Sequence, residues 1–219
     1  MSSPHENARS APVPAGTPKS SLVVTRGPVW TVTLDRPERA NALSAELVEE
    51  LHAVLDEAAM VRPTALVLRG NPRHFAAGFD LGGLDLETDA SLAYRFLRIG
   101  LLLERLYDAP YVTVAVADGA AVGAGADLVL ACDHRLVAPG VTLRFPGAQF
   151  GVVLGAHRRT ELPEPFATGT PGPLPHHSVD RPPHDPDAAL ASLARSVAVP
   201  GLRDRIAGYA GLTLSKEYA

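Results

Sequence analysis

Two short segments of the chain combine small residues with backbone amides that could bind a negatively charged oxygen. The first runs from His74 to Leu81 and contains Gly78, and the second runs from Asp118 to Leu128 and contains Gly123. Glycine lets a backbone approach a ligand closely, and the start of a helix leaves N–H groups without a backbone partner. If the two segments face each other, their N–H groups can stabilise the charge that forms on a carbonyl oxygen during a reaction.

Apolar runs precede both segments and must hold them in place. Ala65 to Leu68 and Val112 to Val116 are continuous apolar stretches, which is typical of strands buried on both faces of a parallel sheet. The second segment continues into Ala124 to Ala131, which we expect to be helical. We expect loops over His74 to Gly83 and over Gly119 to Gly125.

The other elements alternate along the chain in the same manner. Ser44 is a good N-cap for a helix over Ala45 to Ala59, whose apolar residues recur at helical spacing. The order of strands and helices indicates an α/β fold with ββα-like units. Further predicted elements are strands at Leu22 to Val24, Val29 to Leu34, Leu136 to Ala138 and Thr142 to Phe145, and helices at Ala90 to Tyr107, Ala188 to Val197 and Leu202 to Tyr209.

Three signatures, in this order, resemble the crotonase family, that is, the enoyl-CoA hydratase/isomerase proteins. Leu34 to Leu43 is similar to the family's N-terminal loop, which lines the coenzyme A pocket. Phe75 to Leu81 is similar to its first oxyanion-hole loop, and Asp118 to Asp133 is similar to its second, glycine-rich element. The resemblance covers about residues 22–159. It implies a crotonase-like (ClpP/crotonase) spiral of ββα units, a homo-oligomer (a trimer or a dimer of trimers) and a role in fatty acid metabolism.

The resemblance also assigns the residues that would act on an acyl-CoA thioester. The two oxyanion donors are the N–H groups of Phe79 and Ala124, and coenzyme A is a part of the substrate, with no other cofactor implied. Ala124 stands where the family usually has glycine, so the N–H is kept and a methyl group is added beside the acyl group. The residues expected to bind the substrate are Arg39, Ala40, Ala76, Phe79, Leu81, Gly123 and Gly147.

The acid–base residues depart from the family's pattern. Hydratases of the family use two glutamates, and the first position is Asp127 here, which sets the carboxylate back by about 1.5 Å, the length of a C–C bond. Gly147 stands at the second position and cannot transfer a proton.

Two hypotheses for the function therefore stay open. The chain is either an enzyme of the hydratase/isomerase family, whose hydration, isomerisation or other enolate reaction uses Asp127 as acid or base, or a catalytically impaired acyl-CoA-binding or scaffold paralogue. In the second case Asp127 only complements the helix dipole.

A serine hydrolase on a related fold is a third class of function. Such an enzyme needs a nucleophile beside a positioned histidine. Between Ser44 and Ser178 the sequence contains only Ser91, which is predicted on a helix and outside both glycine-containing segments. The sequence therefore favours acyl-CoA chemistry over this class.

The N-terminus and the C-terminal third depart from the composition of the predicted core. Residues 1–21 are rich in Ser, Pro and Ala, which predicts a disordered tail before a core at residues 22–159. Residues 160–187 are rich in Pro and His, which predicts irregular structure before a residual C-terminal helical segment at residues 188–219. The family has its C-terminal helical region here. We therefore expect a degenerate region, arising from a deletion or a stretch read in another frame, and an acyl pocket open to water on one side.

The composition argues against several other functions. The formal net charge is -4, which gives no electrostatic case for binding nucleic acid, since that needs a clustered basic face, so no nucleic-acid partner is expected. The single cysteine, Cys132, permits no intrachain disulfide and suits the cytoplasm. The apolar stretch from Tyr111 to Cys132 contains Asp118 and Asp127, so we expect no membrane span. The histidines of the Pro/His-rich segment follow no zinc spacing, so no metal is predicted.

Overall fold

The computed structural model describes residues 20–141, 143–154 and 185–217. The strands in these ranges are β1 (Leu22–Thr25), β2 (Val29–Leu34), β3 (Ala65–Arg69), β4 (His74–Ala76), β5 (Val112–Ala117), β6 (Ala120–Val122), β7 (His134–Val137) and β8 (Leu143–Arg144). The helices are α1 (Ala45–Val61), α2 (Asp89–Tyr107), α3 (Ala124–Ala131), α4 (Pro186–Val197) and α5 (Leu202–Glu217). Short 3-10 turns lie at Pro37–Arg39, Leu84–Leu86 and Pro146–Phe150.

The strands form a large and a small sheet. The large sheet has the order β1-β2-β3-β5-β7, in which β1 is antiparallel to β2 and the other pairs are parallel. The small sheet has the order β4-β6-β8 and is parallel. Two successive units, β3-β4-α2 and β5-β6-α3, each give one strand to each sheet and then a helix. The predicted α/β fold of ββα units is confirmed.

The large sheet buries one face and leaves the other partly exposed, so the prediction that β3 and β5 are buried on both faces is wrong. In β5, Ala115 is fully buried while Val112 is 42% exposed. In β2, the buried residues are Trp30, Val32 and Leu34, as their shared face predicts. These side chains join one hydrophobic core with the apolar faces of α1, α2 and α3. A strand covered by helices on one face needs an apolar residue only at every second position.

Both segments predicted as loops contain a strand of the small sheet. β4 lies within the first glycine-containing segment and β6 within the second, and they pair in parallel with His74 opposite Ala120. Gly119 permits this approach, because a Cβ atom there would lie 2.4 Å from the backbone nitrogen of His74. Three-residue strands are too short to show the periodicity by which strands are recognised in a sequence.

The predicted helices are present, and α5 differs most, because it continues to Glu217, eight residues past the predicted end at Tyr209. The Ser44 hydroxyl accepts a hydrogen bond from the N–H of Leu47 at 3.2 Å and starts α1, as predicted. α1 continues to Val61, two residues past the predicted end, and α2 begins at Asp89, one residue early. Of the described helices, none is long and apolar enough to cross a membrane.

The two C-terminal helices pack against α2. Leu193 of α4 lies so close to Gly100 of α2 that a Cβ atom on residue 100 would be 2.5 Å from the Leu193 Cδ2 atom. The Asp89 carboxylate accepts hydrogen bonds from the N–H groups of Gly201 to Arg203, at 2.8 to 3.2 Å. These N–H groups at the start of α5 would otherwise have no partner within the helix. Asp89 therefore fixes the start of α5 on the start of α2.

Several predicted segments lie outside the described residues. These are residues 1–19 of the predicted tail, residues 155–184 with most of the Pro/His-rich segment, residues 218–219 at the C-terminus, and Thr142 of the last predicted strand. The disordered tail, the irregular Pro/His-rich segment and the strand conformation of Thr142 stay predictions.

Candidate active site

A cavity of about 90 Å³ lies where the two glycine-containing segments meet α2, α5 and the Pro146–Phe150 turn. Leu154 and Val152 complete the described wall near this turn. Of the residues predicted to react with or bind a substrate, six border the cavity: Phe79, Leu81, Gly123, Ala124, Asp127 and Gly147.

Gly78 brings the first segment against the start of α3. Its φ is +89°, a conformation that L side chains rarely adopt. A Cβ atom on residue 78 would lie 2.5 Å from the carbonyl oxygen of Val122 and 3.4 Å from the nitrogen of Ala124. The two segments therefore touch through their backbones, and a side chain at residue 78 would separate them.

The direction of the Phe79 N–H follows from the hydrogen bonds of its neighbours. The Leu43 N–H donates to the Gly78 carbonyl at 2.7 Å, and the Asp80 N–H donates to the Leu43 carbonyl at 3.1 Å. The peptide bonds of the described residues are trans, and in a trans peptide the N–H points away from the preceding C=O. Because the Gly78 carbonyl faces Leu43, the Phe79 N–H points to the opposite side of this segment.

Ala124 is the first residue of α3 and follows the cap residue Gly123. The first turn of this helix is closed by the Asp127 N–H, which donates to the Gly123 carbonyl at 2.9 Å. The N–H of Ala124 precedes this hydrogen-bond ladder and lies at the positive end of the helix dipole. Gly123 has φ 53° and ψ -125°, which a residue with a side chain does not readily adopt. The start of α3 at the cavity thus depends on glycine at residue 123.

The second segment approaches the first so closely at Gly125 that no side chain fits there. A Cβ atom on residue 125 would lie 2.3 Å from the carbonyl oxygen of Ala76. Ala76 itself is fully buried beneath this contact. Glycine at residue 125 therefore lets α3 pack directly on β4.

Asp127 lies in the first turn of α3 at the cavity. The residue is 3% exposed and borders the cavity together with Ala124. The positive end of the helix dipole favours a negative charge in this turn. A carboxylate in this position can exchange a proton with a group bound in the cavity.

Gly147 borders the cavity from the Pro146–Phe150 turn, where the backbone leaves no room for a side chain. The Gly147 carbonyl accepts a hydrogen bond from the Val152 N–H at 3.0 Å. A Cβ atom on residue 147 would lie 2.9 Å from the Val152 carbonyl oxygen, closer than Cβ atoms approach a backbone oxygen. A glutamate at residue 147 would therefore require this turn to shift.

Asp80 fixes the first segment through its carboxylate. One carboxylate oxygen accepts from the Gly82 N–H and from Arg39, both at 2.8 Å, and the other accepts from Arg36 at 3.0 Å. Burial acts to raise the pKa of the Asp80 carboxyl group, but these three hydrogen bonds outweigh it and hold that pKa below its usual value. Asp80 is thus a charged anchor between the segment and the loop at Pro37–Arg39.

Comparison with known proteins identifies the family. A model described as enoyl-CoA hydratase/isomerase matches residues 25–164, which is more than half of the chain. The chain belongs to the enoyl-CoA hydratase/isomerase family. This confirms the crotonase resemblance of the three signatures.

Individual relatives agree with this family. The chain is 39% identical over 126 residues to the probable enoyl-CoA hydratase echA6 of Mycobacterium tuberculosis, covering 58% of this chain and 50% of the relative. A crystal structure of a Bordetella parapertussis protein described as an enoyl-CoA hydratase/isomerase has a TM-score of 0.77 at 35% identity, covering 86% of this chain and 98% of that one. An enoyl-CoA hydratase from Bacillus anthracis, 22% identical with a TM-score of 0.65, shares the fold. The chain spans about half the length of the curated relatives it matches.

Three of the predicted substrate-binding residues do not border the cavity of this family member. Arg39 pairs with Asp80, the Ala40 carbonyl accepts from the Ala77 N–H at 3.0 Å, and Ala76 is buried under Gly125. Their contacts with coenzyme A stay predictions. Among the described residues, no group of three or more His, Cys, Asp or Glu side chains could hold a metal.

Apart from Phe79, the aromatic residues of the cavity wall were not predicted from the sequence as site residues. Phe79 stacks on Phe96 of α2 with ring centroids 4.3 Å apart, and Phe150 lies 6.4 Å from Phe96 and 5.2 Å from Tyr209 of α5. All four border the cavity, as does Ile206 of α5. α5 therefore forms a part of the wall of the cavity. The opening of the pocket to water on one side stays a prediction. The apolar stripe of α2 marks Phe96 as a core residue, but nothing in the sequence places α5 beside it.

Asn41 is another residue whose role was not predicted from the sequence. It is fully buried, with φ 55°, and its side chain accepts from the Arg36 N–H at 2.9 Å. Its amide nitrogen donates to the carbonyls of His74 and Phe75 at 3.1 and 3.2 Å. Asparagine tolerates this left-handed conformation better than most residues. Asn41 therefore ties the N-terminal signature loop to β4, the strand that leads into the first segment.

Proposed function

We propose that the chain is an acyl-CoA thioester-binding enzyme of its family that stabilises a thioester enolate with the N–H groups of Phe79 and Ala124. One observation carries the proposal, namely that the two amides meet at one cavity. The backbone of Gly78 approaches the Ala124 nitrogen, and the hydrogen bonds to Leu43 turn the Phe79 N–H away from Leu43. Phe79 and Ala124 both border the cavity. Two such donors match the position where negative charge develops on a thioester oxygen.

In the proposed reaction the thioester oxygen accepts hydrogen bonds from both amides. When the C2 proton leaves, the C–H electron pair forms the C1–C2 double bond and the charge moves to the oxygen. Asp127 takes the proton, directly or through a water molecule. In hydration a base takes a proton from water as its oxygen bonds to C3, the electron pair of the C2–C3 double bond moves to C1–C2 to give a 3-hydroxyacyl enolate, and a proton is then returned to C2. Each amide donor is worth about 2.7–4 kcal/mol in the transition state.

The reaction beyond the enolate depends on how many groups can move protons. Hydration in this family uses two carboxylates, and this chain offers Asp127, set back by about 1.5 Å, with no side chain at Gly147. A displacement of about 1 Å can cost on the order of a hundredfold in rate. We therefore expect proton exchange at C2 to be the main activity and hydration to be slower.

A second candidate function is an acyl-CoA-binding or scaffold protein with impaired catalysis. The contact between residue 147 and Val152 favours it, because the backbone of this turn leaves no space for the second carboxylate. Both candidates take coenzyme A as a part of the ligand. We also propose, from the family alone, a cytoplasmic homo-oligomer (a trimer or a dimer of trimers) that acts in fatty acid metabolism.

Deuterium exchange at C2 tests the proposal. Butyryl-CoA is incubated in D2O with the wild type, Asp127→Asn and the control Asp118→Asn, and deuterium uptake is measured by mass spectrometry. Asp118 is an exposed carboxylate that pairs with Arg69 at 3.2 Å. We expect Asp127→Asn to slow exchange by about a hundredfold or more and Asp118→Asn to leave it unchanged.

The outcomes separate the two candidates. Equal background exchange from all three proteins, together with measurable butyryl-CoA binding, would favour the binding protein over the enzyme. Absence of any acyl-CoA binding would contradict both. Crotonyl-CoA hydration, measured on the same proteins, shows whether water addition accompanies exchange.

A further inference from the structure

We infer that Arg95 of α2 is a positioning residue that holds the first amide donor in place. This inference rests on the proposed function, because it concerns the direction of the Phe79 N–H. The Arg95 guanidinium carbon lies 4.1 Å from the centroid of the Phe79 ring. The same guanidinium donates a hydrogen bond to the Asp80 carbonyl oxygen at 2.9 Å. One side chain thus contacts two successive residues of the first segment.

Arg95 is itself fixed by a charged partner. It pairs with Glu87 at 2.6 Å, and the side chains of the two residues are only 12% and 19% exposed. Hydrogen bonds from Ser91 and Arg95 hold the pKa of the Glu87 carboxyl group below its usual value. Glu87 lies two residues before α2, so the arginine is held by the segment that leads into its own helix. An arginine fork bonded on two sides has little freedom left to rotate.

The contacts of Arg95 complement those of Leu43. Leu43 binds the Gly78 carbonyl and the Asp80 N–H. Arg95 binds the Asp80 carbonyl, which belongs to the following peptide plane, and covers the Phe79 ring. Leu43 thus holds the two peptide planes that flank residue 79, while Arg95 holds the next plane and the Phe79 side chain. None of these contacts uses the Phe79 N–H, which stays directed at the cavity side.

Loss of Arg95 should therefore weaken transition-state stabilisation more than substrate binding. The N–H of Phe79 would remain, but its direction would be less well defined. Misplacement of a catalytic group by about 1 Å can cost on the order of a hundredfold. The ground-state thioester, whose oxygen carries less charge, depends less on this direction.

The test compares Arg95→Met with Arg98→Met. Arg98 lies one turn further along α2 and forms a matched ion pair with Glu49, at 2.6 and 2.7 Å, on α1. Methionine keeps the apolar stem and removes the charge. The two readouts are amide hydrogen exchange of residues 78–81 and the kcat and KM of deuterium exchange at C2 of butyryl-CoA. Thermal unfolding checks that both variants fold, and Glu87→Gln, which releases Arg95 without removing it, serves as a second variant.

For Arg95→Met we expect faster amide exchange at residues 78–81, a kcat lower by about 10- to 100-fold, and a KM changed by less than about threefold. Glu87→Gln should shift both readouts in the same direction by less, and Arg98→Met should match the wild type. Equal amide exchange and equal kcat in Arg95→Met and Arg98→Met would overturn the inference. If the wild type forms no enolate, the proposed function fails, and the amide exchange of residues 78–81 alone decides on Arg95.

Discussion

Replacement of Ala124 by proline would remove one proposed amide donor and keep the start of α3. Proline has no backbone N–H, and it is favoured at the first position of a helix, which Ala124 occupies. The residue before a proline avoids the α conformation, and Gly123, with ψ -125°, already does so. The bond from the Asp127 N–H to the Gly123 carbonyl, which closes the first turn, is not affected.

The size of the expected effect follows from the one lost hydrogen bond. Removal of an oxyanion donor lowers kcat by about 10²- to 10³-fold, or about 2.7–4 kcal/mol. A proline at a compatible backbone position changes the free energy of unfolding by about 1 kcal/mol or less. The ring atom that replaces the hydrogen points to where the thioester oxygen would lie. We therefore also expect weaker substrate binding, but a smaller change in KM than in kcat.

Deuterium exchange at C2 of butyryl-CoA is the suitable assay, because it needs the enolate and no second carboxylate. Ala124→Gly is the matched control: it also replaces the alanine, keeps the N–H and carries the residue usual in the family. Thermal unfolding establishes that both variants fold. If folded Ala124→Pro exchanges deuterium as fast as Ala124→Gly, the amide of residue 124 does not stabilise the enolate, and the reasoning from the two segments is refuted.

Three further predictions concern the backbone and the C-terminal helices. Gly78→Ala should cost about 1–3 kcal/mol of unfolding free energy, measured by urea titration, and abolish exchange, because its Cβ would lie 2.5 Å from the Val122 carbonyl. Gly147→Glu should not raise crotonyl-CoA hydration, since its Cβ would lie 2.9 Å from the Val152 carbonyl; a hydration rate above wild type would contradict this. Hydrogen bonds from the N–H groups of Arg203, Gly201 and Leu202 hold the pKa of the Asp89 carboxyl group below its usual value. The stability that this carboxylate contributes to the fold should be present above the unfolded pKa of about 3.9 and be lost as the pH falls through the lower folded pKa. The difference in thermal midpoint between wild type and Asp89→Asn should then shrink in acid, and a difference that persists would exclude this role.

Much of the fold can be predicted from local patterns. The spacing of apolar residues locates α1 and α2, and the Ser44 cap locates the start of α1, because these signals act within one or two turns of the chain. The continuous apolar runs locate β3 and β5, but they wrongly predict that both faces of these strands are buried. Residues on the less covered face are also apolar, and the sequence does not show which face the helices occupy.

The two segments of the candidate site were predictable because they require particular residue types. Gly78 and Gly123 adopt conformations that exclude most side chains, so their positions are visible in the sequence. Gly147 differs, since its importance depends on the distance to the Val152 carbonyl, which no local pattern reveals. The sequence identifies a missing glutamate, and the structure adds that the turn has no space for one.

The contacts between distant parts of the chain could not be predicted. Arg95 has the sequence features of any cation on an exposed helix face, and only the crossing of α2 over the first segment gives it its contact with Phe79. Tyr209 follows the Pro/His-rich segment, and its place beside Phe150 depends on how α5 docks through Asp89. Residues of this kind need the three-dimensional arrangement of helices, which short-range periodicity does not contain.

The proposed donors and the proposed proton carrier differ in how substitutions affect them. The donors at residues 79 and 124 are main-chain groups, so a side-chain substitution removes neither unless it moves the backbone or introduces proline. The family's carboxylates are side chains, and a single substitution shortens one to Asp127 or removes the other at Gly147. Changes of residue type at this site therefore weaken water addition before they weaken enolate stabilisation. For this chain we accordingly expect C2 proton exchange to exceed crotonyl-CoA hydration, and the ratio of these two rates, measured on one preparation, separates the contribution of the amides from that of the carboxylates.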